Sequence, residues 1–519
     1  MKKIFLYGAA AFSVLIFFAS CKKDFLDKQN QNQLSGGSFW QTKNDALAGI
    51  TATYAALQSN TGSKWTWFEE TYIASEYKTD EITDNKSSGY GASLHAFTYT
   101  TDVSYFTNLW SMCFAGINRA NQCIENIPNV SDNAQTGLSD EEKQSLVSEA
   151  KFLRAHFYFV LLNYFENIPL ITSVPKSDAD YYPAEAPRDD IWAQVVSDLK
   201  EAEQSLPETR EGTEIGRATK YTASAYLGKV YLFQEKFDDA HTEFAKVIAS
   251  GNYSLLPNFA DNFNGKSENG PESLFEIQFS ADRSNGNDER NPISWEISSG
   301  VVGGWELFYP SQWMVDELQK DKRDDGGYSD RVYNTIFFDD PGSVTAVIDQ
   351  PGTYRAYDDV KPDLSYNYYF KKYTEPTDLD DNGYYTGLNM NLIRYADVLL
   401  MDAEALNEKG NTADAVELVN QVRARSHAAP VSTSISQADL REDIRHHERP
   451  CELAMEYQIR WPDMLRWSNS KVAPEKISDQ LKMHDHEFAD NFIEGKHNIY
   501  PVPFAEISKN PNIHQAPNW

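Results

Sequence analysis

Apolar residues recur at helical spacing through most of the chain. Within 39–59 they fall at steps of three or four, at Leu47, Ile50, Tyr54 and Leu57. The same spacing returns within 106–127, and 152–165 is apolar on most faces, which is typical of a helix buried between other helices. We expect Pro169 to end that helix. The stretch 60–104 is rich in Ser, Gly, Thr and aromatic residues and predicts loops.

Two segments match the small-residue and ring positions of the TPR repeat, a 34-residue helix pair. The first copy has these positions at Leu227, Gly228, Tyr231, Ala240 and Phe244, and the second at Ala403, Leu406, Ala415 and Val419. Small residues let the two helices approach, and the rings fill the groove between them. From Gly228 to Ala403 the copies lie 175 residues apart. This spacing excludes a simple tandem solenoid and indicates a large insertion.

The insertion, 255–385, is rich in Gly, Asn, Asp, Tyr and Trp. Its pattern predicts short strands at 273–279, 331–338 and 366–373, and one short helix at 311–319. Loops carried on a rigid helical scaffold are where binding surfaces usually lie. We therefore expect the ligand-binding surface in this part of the chain.

The first twenty residues have the pattern of an export signal. Two lysines precede an apolar run from Ile4 to Phe18, which as a helix would span about 22 Å, short of a bilayer core of about 30 Å. The run ends in Ala19-Ser20-Cys21, which looks like the lipobox of bacterial lipoproteins, where the cysteine is lipidated. A cleaved signal followed by a chance cysteine is the alternative. Residues 21–38 are polar and predict a tether.

The net charge of the chain bears on which macromolecules it can bind. The chain carries a formal net charge of −30, and removal of residues 1–20 takes away two lysines and no acid, leaving −32. With this excess of acidic residues the protein is not expected to bind nucleic-acid phosphates, which need Lys and Arg, and it is repelled by an anionic membrane surface. Any membrane attachment would then depend on the lipid. Cys113, Cys123 and Cys451 are expected to be small buried residues rather than disulfide partners, because the first two lie about 15 Å apart on one helix.

Several short motifs suggest chemistry, but their context does not support it. Residues 260–267 match a permissive P-loop pattern, yet the segment 268–273 directly after them cannot start a helix. Residues 378–383 place carboxylates at calcium-loop positions, but the twelfth position is Asn389, so a solvated acidic turn is the preferred interpretation. The histidines of 484–487 are expected to face water. The charged residues of 445–449 are expected to form structural ion pairs. No metal site or cofactor is predicted.

Four segments, in order along the chain, resemble the signatures of the SusD/RagB family of outer-membrane lipoproteins. They are "EAKFLRAHFYFVLLNYFENIPLIT" at 149–172, "NLIRYADVLLMDAEALNE" at 391–408, "ERPCELAMEYQIRWPDMLRW" at 448–467 and "IYPVPFAEISKNPNIHQAPNW" at 499–519. The third departs from the family pattern, since Glu456 and Arg460 lie one residue further apart and Pro462 is unusual. With the lipobox, the resemblance extends over the whole chain.

The resemblance implies a mostly α fold: a SusD-like helical scaffold of TPR-like pairs plus a loop-rich region with short β-strands. It divides the chain into a signal peptide (1–20), a lipidated tether (21–38), a helical domain (39–254) and a C-terminal domain (255–519). The last contains the ligand-binding insertion (255–385) and a TPR-like part (386–470). It implies a surface-exposed, lipid-anchored protein of the outer membrane. Such a protein binds oligo- or polysaccharide and delivers it, as a lid, to a SusC-type TonB-dependent transporter.

The resemblance also implies a binding protein and not an enzyme. Three alternatives remain open from the sequence. They are a peptide-binding RagB-like member of the same family, a lipid-anchored glycoside hydrolase and a TPR scaffold that binds only proteins. Acidic residues number 77, so carboxylate pairs for hydrolysis exist, but their separation cannot be read from sequence spacing.

Aromatic residues in loops are the candidate sugar contacts, because sugar C–H groups pack on ring faces. Seven tryptophans are expected to lie in the core or to close the chain: Trp40, Trp110, Trp192, Trp313, Trp461, Trp467 and Trp519. The other four lie in Gly-, Ser- and Asn-rich surroundings, with two tyrosines nearby. The predicted ligand-binding residues are Trp65, Trp67, Tyr90, Trp295, Trp305 and Tyr309, and the predicted lipidation site is Cys21.

Overall fold

The computed structural model describes residues 39–58, 71–84, 89, 91–131, 133, 137–282, 284, 289–348, 350, 352–377 and 385–519. Helices of the N-terminal half are α1 (Lys43–Tyr54), α2 (Ile73–Glu76), α3 (Ala92–His95), α4 (Ser104–Asn126), α5 (Asp140–Tyr164), α6 (Arg188–Ser205), α7 (Lys220–Phe233) and α8 (Phe237–Ala249). Each of the longer ones packs on the next along the chain, from α4 to α8.

Short elements dominate the following part of the chain. Its helices are α9 (Ile293–Ile297), α10 (Gln312–Lys320), α11 (Asp330–Thr335) and α12 (Tyr357–Val360). The strands are β1 (Ile82–Asp84), β2 (Ser273–Ile277), β3 (Phe308–Pro310), β4 (Ile336–Phe337), β5 (Val344–Ala346), β6 (Tyr354–Ala356), β7 (Tyr369–Phe370) and β8 (Met390–Arg394). They form antiparallel pairs, β1 with β3, β2 with β8, β4 with β7 and β5 with β6.

Helices return after β8 and continue to the C-terminus. They are α13 (Tyr395–Glu408), α14 (Thr412–Arg425), α15 (Gln437–Asp443), α16 (Arg449–Leu453), α17 (Arg460–Ser468), α18 (Ile477–Met483) and α19 (Phe504–Lys509), with a π-helical turn at Ile444–Glu448. The mostly helical fold with TPR-like pairs and short strands is therefore confirmed. Within the described residues, no helix is long and apolar enough to cross a membrane.

Helix α5 is the buried helix that the sequence predicts, but it ends earlier than expected. Ser139 and Glu142 form a capping box at its N-terminus. The helix ends at Tyr164, five residues before Pro169, and Phe165 is already extended. The Arg188 guanidinium donates to the carbonyls of Leu162 and Phe165, at 2.7 and 2.8 Å. A side chain from α6, and not the proline, therefore satisfies the end of this helix.

Both predicted helix pairs form, as α7 with α8 and α13 with α14. In the first pair, a Cβ atom at Gly228 would lie 2.6 Å from the Phe244 ring. No real Cβ makes so close a contact, so the absence of a side chain at 228 is what allows the ring to fill the groove. The helix pair is thus built on the two positions that identify it in the sequence.

The strand predictions for the insertion are only partly correct. The strand at 273–277 and the helix at 312–320 form as predicted. The segment 331–338 instead begins as helix α11, because helical spacing places Arg331, Val332 and Thr335 together in the core. Within 366–373 only Tyr369 and Phe370 are extended in a strand.

The family signatures at 391–408 and 448–467 take part in a buried network of ion pairs. Arg394 contacts the carboxylates of Glu272, Glu452 and Glu456, all within 2.7–3.0 Å. Arg449 of the 445–449 segment pairs with Asp397 at 2.8 Å and with Asp463 at 2.7 Å. The prediction of structural ion pairs in this segment is confirmed.

The stretch 71–84, which the sequence assigns to a loop region, is almost entirely buried. Asp80 accepts two hydrogen bonds of 2.7 Å from Arg460 and one of 2.6 Å from His484. Lys78 is buried over the rings of Trp461 and Tyr500, with its nitrogen 3.7 and 4.2 Å from their centroids. This segment therefore joins the N-terminal half to the C-terminal helices. Cys113, Cys123 and Cys451 are buried and unpaired, as predicted.

Candidate functional site

The six predicted ligand-binding residues divide into two groups. Trp65, Trp67 and Tyr90 lie outside the described residues, as do Cys21 and the acidic turn at 378–383. The other three, Trp295, Trp305 and Tyr309, are described, and one continuous segment from α9 to β3 brings them together.

The two tryptophans form a contacting pair with unequal exposure. After α9 the chain passes through a 3₁₀ turn at Gly300–Val302 and returns, so that the Trp305 amide donates to the Trp295 carbonyl at 2.9 Å. Their ring centroids lie 3.8 Å apart with 43° between the planes. Trp305 is 44% exposed, whereas Trp295 is only 8% exposed. The expectation of an exposed ring holds for Trp305 and is wrong for Trp295, which supports its neighbour.

Backbone geometry fixes the turn between Trp295 and Trp305. The Trp295 indole N–H donates to the Gly303 carbonyl at 2.8 Å. Gly303 has φ +97°, a conformation that favours glycine, and a Cβ there would lie 3.1 Å from Ile348. The turn that presents Trp305 is thereby held from within by the indole of Trp295.

The Glu306 carboxylate ties this turn to the next loop. It accepts hydrogen bonds of 3.2 Å from both Ser299 and the Tyr309 hydroxyl, and further bonds from Ser365 and the Gly300 amide. Glu306 itself has φ +54°, a conformation that is uncommon for a residue with a side chain. Its hydrogen bonds offset that strain and hold the loop in one arrangement.

Tyrosine rings line the adjoining surface. Tyr309 stacks on Tyr366 with centroids 4.4 Å apart and meets Tyr369 edge-on at 5.4 Å. Tyr309 is only 7% exposed, so it supports the surface more than it offers a face. Burial raises the pKa of its hydroxyl to about 12, with Glu306 adding to the effect. Sequence reasoning missed Tyr366 and Tyr369, although their aromatic run is visible in the chain, where it predicts a strand.

The hairpin of β5 and β6 lies against the same turn. The Ile348 amide donates to the Val302 carbonyl at 3.1 Å. Alternation along the hairpin places Val344 and Tyr354 on one face, and both are exposed, Tyr354 at 51%. Tyr354 is thus a second exposed ring, on a hairpin that contacts this turn, that sequence reasoning did not select.

The remaining motifs do not form chemical sites in the described residues. Residues 260–267 form a short 3₁₀ turn and bends, and the chain then enters β2 without an intervening α-helix. The histidines of 484–487 are buried, which corrects the expectation that they face water: His484 stacks on Trp313 at 3.8 Å and bonds to Asp80. The described residues contain no group of three or more His, Cys, Asp or Glu side chains that could hold a metal ion.

The arrangement suits recognition of a flat, hydroxylated ligand. An exposed indole offers a face for the C–H groups of a sugar ring, and it is held rigidly by a second indole beneath it. The Ser365 hydroxyl and the Glu306 carboxylate lie beside the aromatic surface and can exchange hydrogen bonds with hydroxyl groups.

Comparison with known proteins gives consistent matches along the chain. The model of the SusD family matches residues 271–519, and a model described as "Starch-binding associating with outer membrane" matches residues 24–232. SusD-like protein P2 of Formosa agariphila is 28% identical over 542 aligned residues, which cover 99% of each chain.

Solved structures share the fold. A SusD superfamily protein from Bacteroides vulgatus has a TM-score of 0.79 at 26% identity and covers 93% of this chain and 100% of its own. A structure described as a SusD-like carbohydrate-binding protein from Bacteroides fragilis has a TM-score of 0.71 at 24% identity, covering 92% and 100%. At this identity the second match supports the fold alone.

Proposed function

The chain belongs to the SusD family, and on this basis we propose that it is a cell-surface lipoprotein that binds oligo- or polysaccharide for uptake. The family is one of binding proteins and not of enzymes. The proposed partner is a SusC-type TonB-dependent transporter, to which the protein delivers its glycan as a lid.

The observation that carries the carbohydrate assignment is the exposure of Trp305 on a rigid support. A large aromatic face that is 44% open to water, backed by Trp295 and fixed by Glu306, loses little freedom when it binds a ligand. Trp65, Trp67 and Tyr90 are proposed as further contacts on sequence grounds.

Anchoring is proposed through Cys21, in line with the outer-membrane association in the description of the matched family. The mature chain's charge of −32 opposes binding to an anionic membrane surface, so the lipid would supply the attachment. The polar tether at 21–38 would allow the protein to swing over its partner. Replacement of Cys21 by Ser should release the protein from the membrane fraction and abolish palmitate labelling.

The test of carbohydrate binding is affinity electrophoresis of residues 22–519 through gels that contain plant, host and fungal polysaccharides. Retardation by a glycan, lost in a folded variant with Trp65, Trp67 and Trp305 changed to Ala, would support both the function and these residues. Retardation that persists in the variant would support carbohydrate binding but would show that these residues are not the contacts. No retardation by any glycan would favour the peptide-binding alternative, and release of sugar from a labelled glycan would favour a hydrolase.

The delivery step has its own test. Purification of the tagged, lipidated protein from outer membranes should retain a barrel protein of roughly 100 kDa or more, the size expected of a large transport barrel. Recovery of the protein without any such barrel would contradict the lid role and favour a free scaffold.

A further inference from the structure

A second cleft lies away from Trp305, where helices of the two halves meet. It encloses about 660 Å³ and is lined by the end of α5, the start of α6, the end of α7, the end of α17 and residues 494–499. None of its lining residues belongs to the Trp305 surface, its supporting loop or the β5–β6 hairpin. Its size is within the range of about 300–1,000 Å³ that is usual for small-ligand sites.

One wall of the cleft is aromatic. The half-buried Trp192 meets Phe159 edge-on, with centroids 6.1 Å apart, and Phe233 packs on the same Phe159 at 5.0 Å. Phe159 itself is buried in the core. The indole of Trp192 thus packs on Phe159 on one side and lines the cleft on the other. Trp305 is supported by Trp295 in a similar way.

The polar lining keeps hydrogen-bonding groups that the protein does not use. Asn163 is 4% exposed and donates its amide to the Phe159 carbonyl at 2.7 Å, but its Oδ1 accepts no bond from any described residue. Four further side chains that line the cleft make no hydrogen bond through their polar groups to any described residue: Trp192, Ser468, Asn469 and Lys476. Unused donors and acceptors around an apolar wall are what a hydroxyl-rich ligand requires.

The charges around the cleft balance. Arg188 and Lys476 are cationic, while Glu166 and Glu494 are anionic. A further lining residue, Arg466, is already paired with Glu404 at 2.6 Å and with Asp463 at 2.8 Å. A cleft without net charge favours a neutral ligand over a polyanion.

We propose that this cleft is a second carbohydrate-binding site, which takes a short neutral segment of a glycan with one sugar ring on Trp192. The proposal rests on the proposed function and extends it. Two sites on one chain bind a long polysaccharide more tightly than either site alone, because the second contact is intramolecular. The polymer would therefore gain more affinity than a short oligosaccharide.

The test is isothermal titration calorimetry of the mature, lipidated chain in detergent with maltohexaose, laminarihexaose and xylohexaose. The wild type should bind two molecules of the preferred hexasaccharide. The single variants Trp192→Ala and Trp305→Ala should each bind one. Asn469→Ala and Lys476→Ala should weaken the Trp192 site about tenfold without unfolding, since both side chains are exposed. Trp40→Ala, which truncates a half-buried tryptophan outside both sites, is the matched control.

Each outcome separates the two proposals. One binding event that is lost in Trp305→Ala and unchanged in Trp192→Ala, Asn469→Ala and Lys476→Ala would overturn the second site and leave the proposed function intact. A single binding event that is lost in Trp192→Ala and unchanged in Trp305→Ala would support the cleft as a glycan site and would show that Trp305 is not a glycan contact. Absence of binding by all three hexasaccharides, while a polysaccharide still retards the protein in gels, would overturn the cleft as a site for neutral glycan segments. Absence of binding in both assays would overturn both proposals.

Discussion

The indole rings of Trp295 and Trp305 lie 3.8 Å apart, yet only Trp305 is open to solvent. The buried ring holds the turn through its N–H bond to the Gly303 carbonyl, and the exposed ring presents its face. Two residues that look alike in the sequence therefore differ in the structure: Trp295 supports the turn, and Trp305 is the exposed ring that we propose as the ligand contact. This difference can be tested by substitution.

Trp305→Ala should weaken glycan binding by about 2 kcal/mol, or roughly thirtyfold in Kd, because it removes the exposed face. Its stability should change little, since much of the side chain is in water. Trp295→Ala should instead lower the free energy of unfolding by about 3–5 kcal/mol, as truncation of a buried aromatic residue does. Titration calorimetry and urea unfolding measure the two effects. Equal loss of stability in both variants would contradict the division of roles.

Glu306→Ala should loosen the loop that carries Trp305. It removes the acceptor for Ser299, Tyr309 and Ser365 while leaving the aromatic rings in place. We expect about a tenfold loss of glycan affinity, comparable to removal of a hydrogen bond to a charged group. Limited proteolysis should also cut within 298–306 faster than in the wild type. Unchanged affinity and cleavage would show that the rings alone hold the surface.

Gly228→Ala should destabilise the α7–α8 pair, because the added Cβ would lie 2.6 Å from the Phe244 ring. Overpacking of this kind costs about 1–3 kcal/mol, measured as a shift in the urea midpoint. The double variant Gly228→Ala with Phe244→Leu should recover part of the loss, since a smaller side chain leaves room. If the double variant were less stable than the sum of its two single changes predicts, the contact would not be the cause.

Glu76 makes stability depend on pH. Burial raises its pKa to about 7, against about 4.3 in an unfolded chain, although Ser75 and the Gln458 amide donate to the carboxyl. Between these values the folded state holds a proton that the unfolded state has released. Its contribution is therefore fully present below about pH 4.3 and is lost as pH rises towards 7.

Glu76→Gln removes this titration and keeps an oxygen to accept the same two bonds. The variant should match the wild type at pH 4 and exceed its unfolding free energy by up to roughly 3 kcal/mol at pH 8. Urea unfolding at both pH values measures the difference. Glu208→Gln, at a glutamate whose side chain is 60% exposed, is the matched control. A variant less stable than the wild type at pH 8 would contradict the assigned protonation.

The sequence by itself determined the long helices, the two helix pairs and the family. The long helices depend on contacts between residues three or four apart, which the periodicity of apolar positions records directly. The helix pairs and the family were recognised from motif residues at characteristic spacings. Gly228 and Phe244 were identifiable for the same reason, because the pair they form is local. The Gly- and Ser-rich surroundings of Trp295 and Trp305 predicted exposure of both rings, and this is correct for Trp305 alone.

Only the tertiary structure decided which loop residues are buried. Asp80 and His484 are 404 positions apart and bond at 2.6 Å, and this contact buries two segments that the local pattern assigned to loops or to water. Trp295 is covered by Trp305 because the chain reverses between them, and α5 ends at Tyr164 because Arg188 arrives from another helix. Burial depends on partners brought from distant parts of the chain, and no local pattern encodes them.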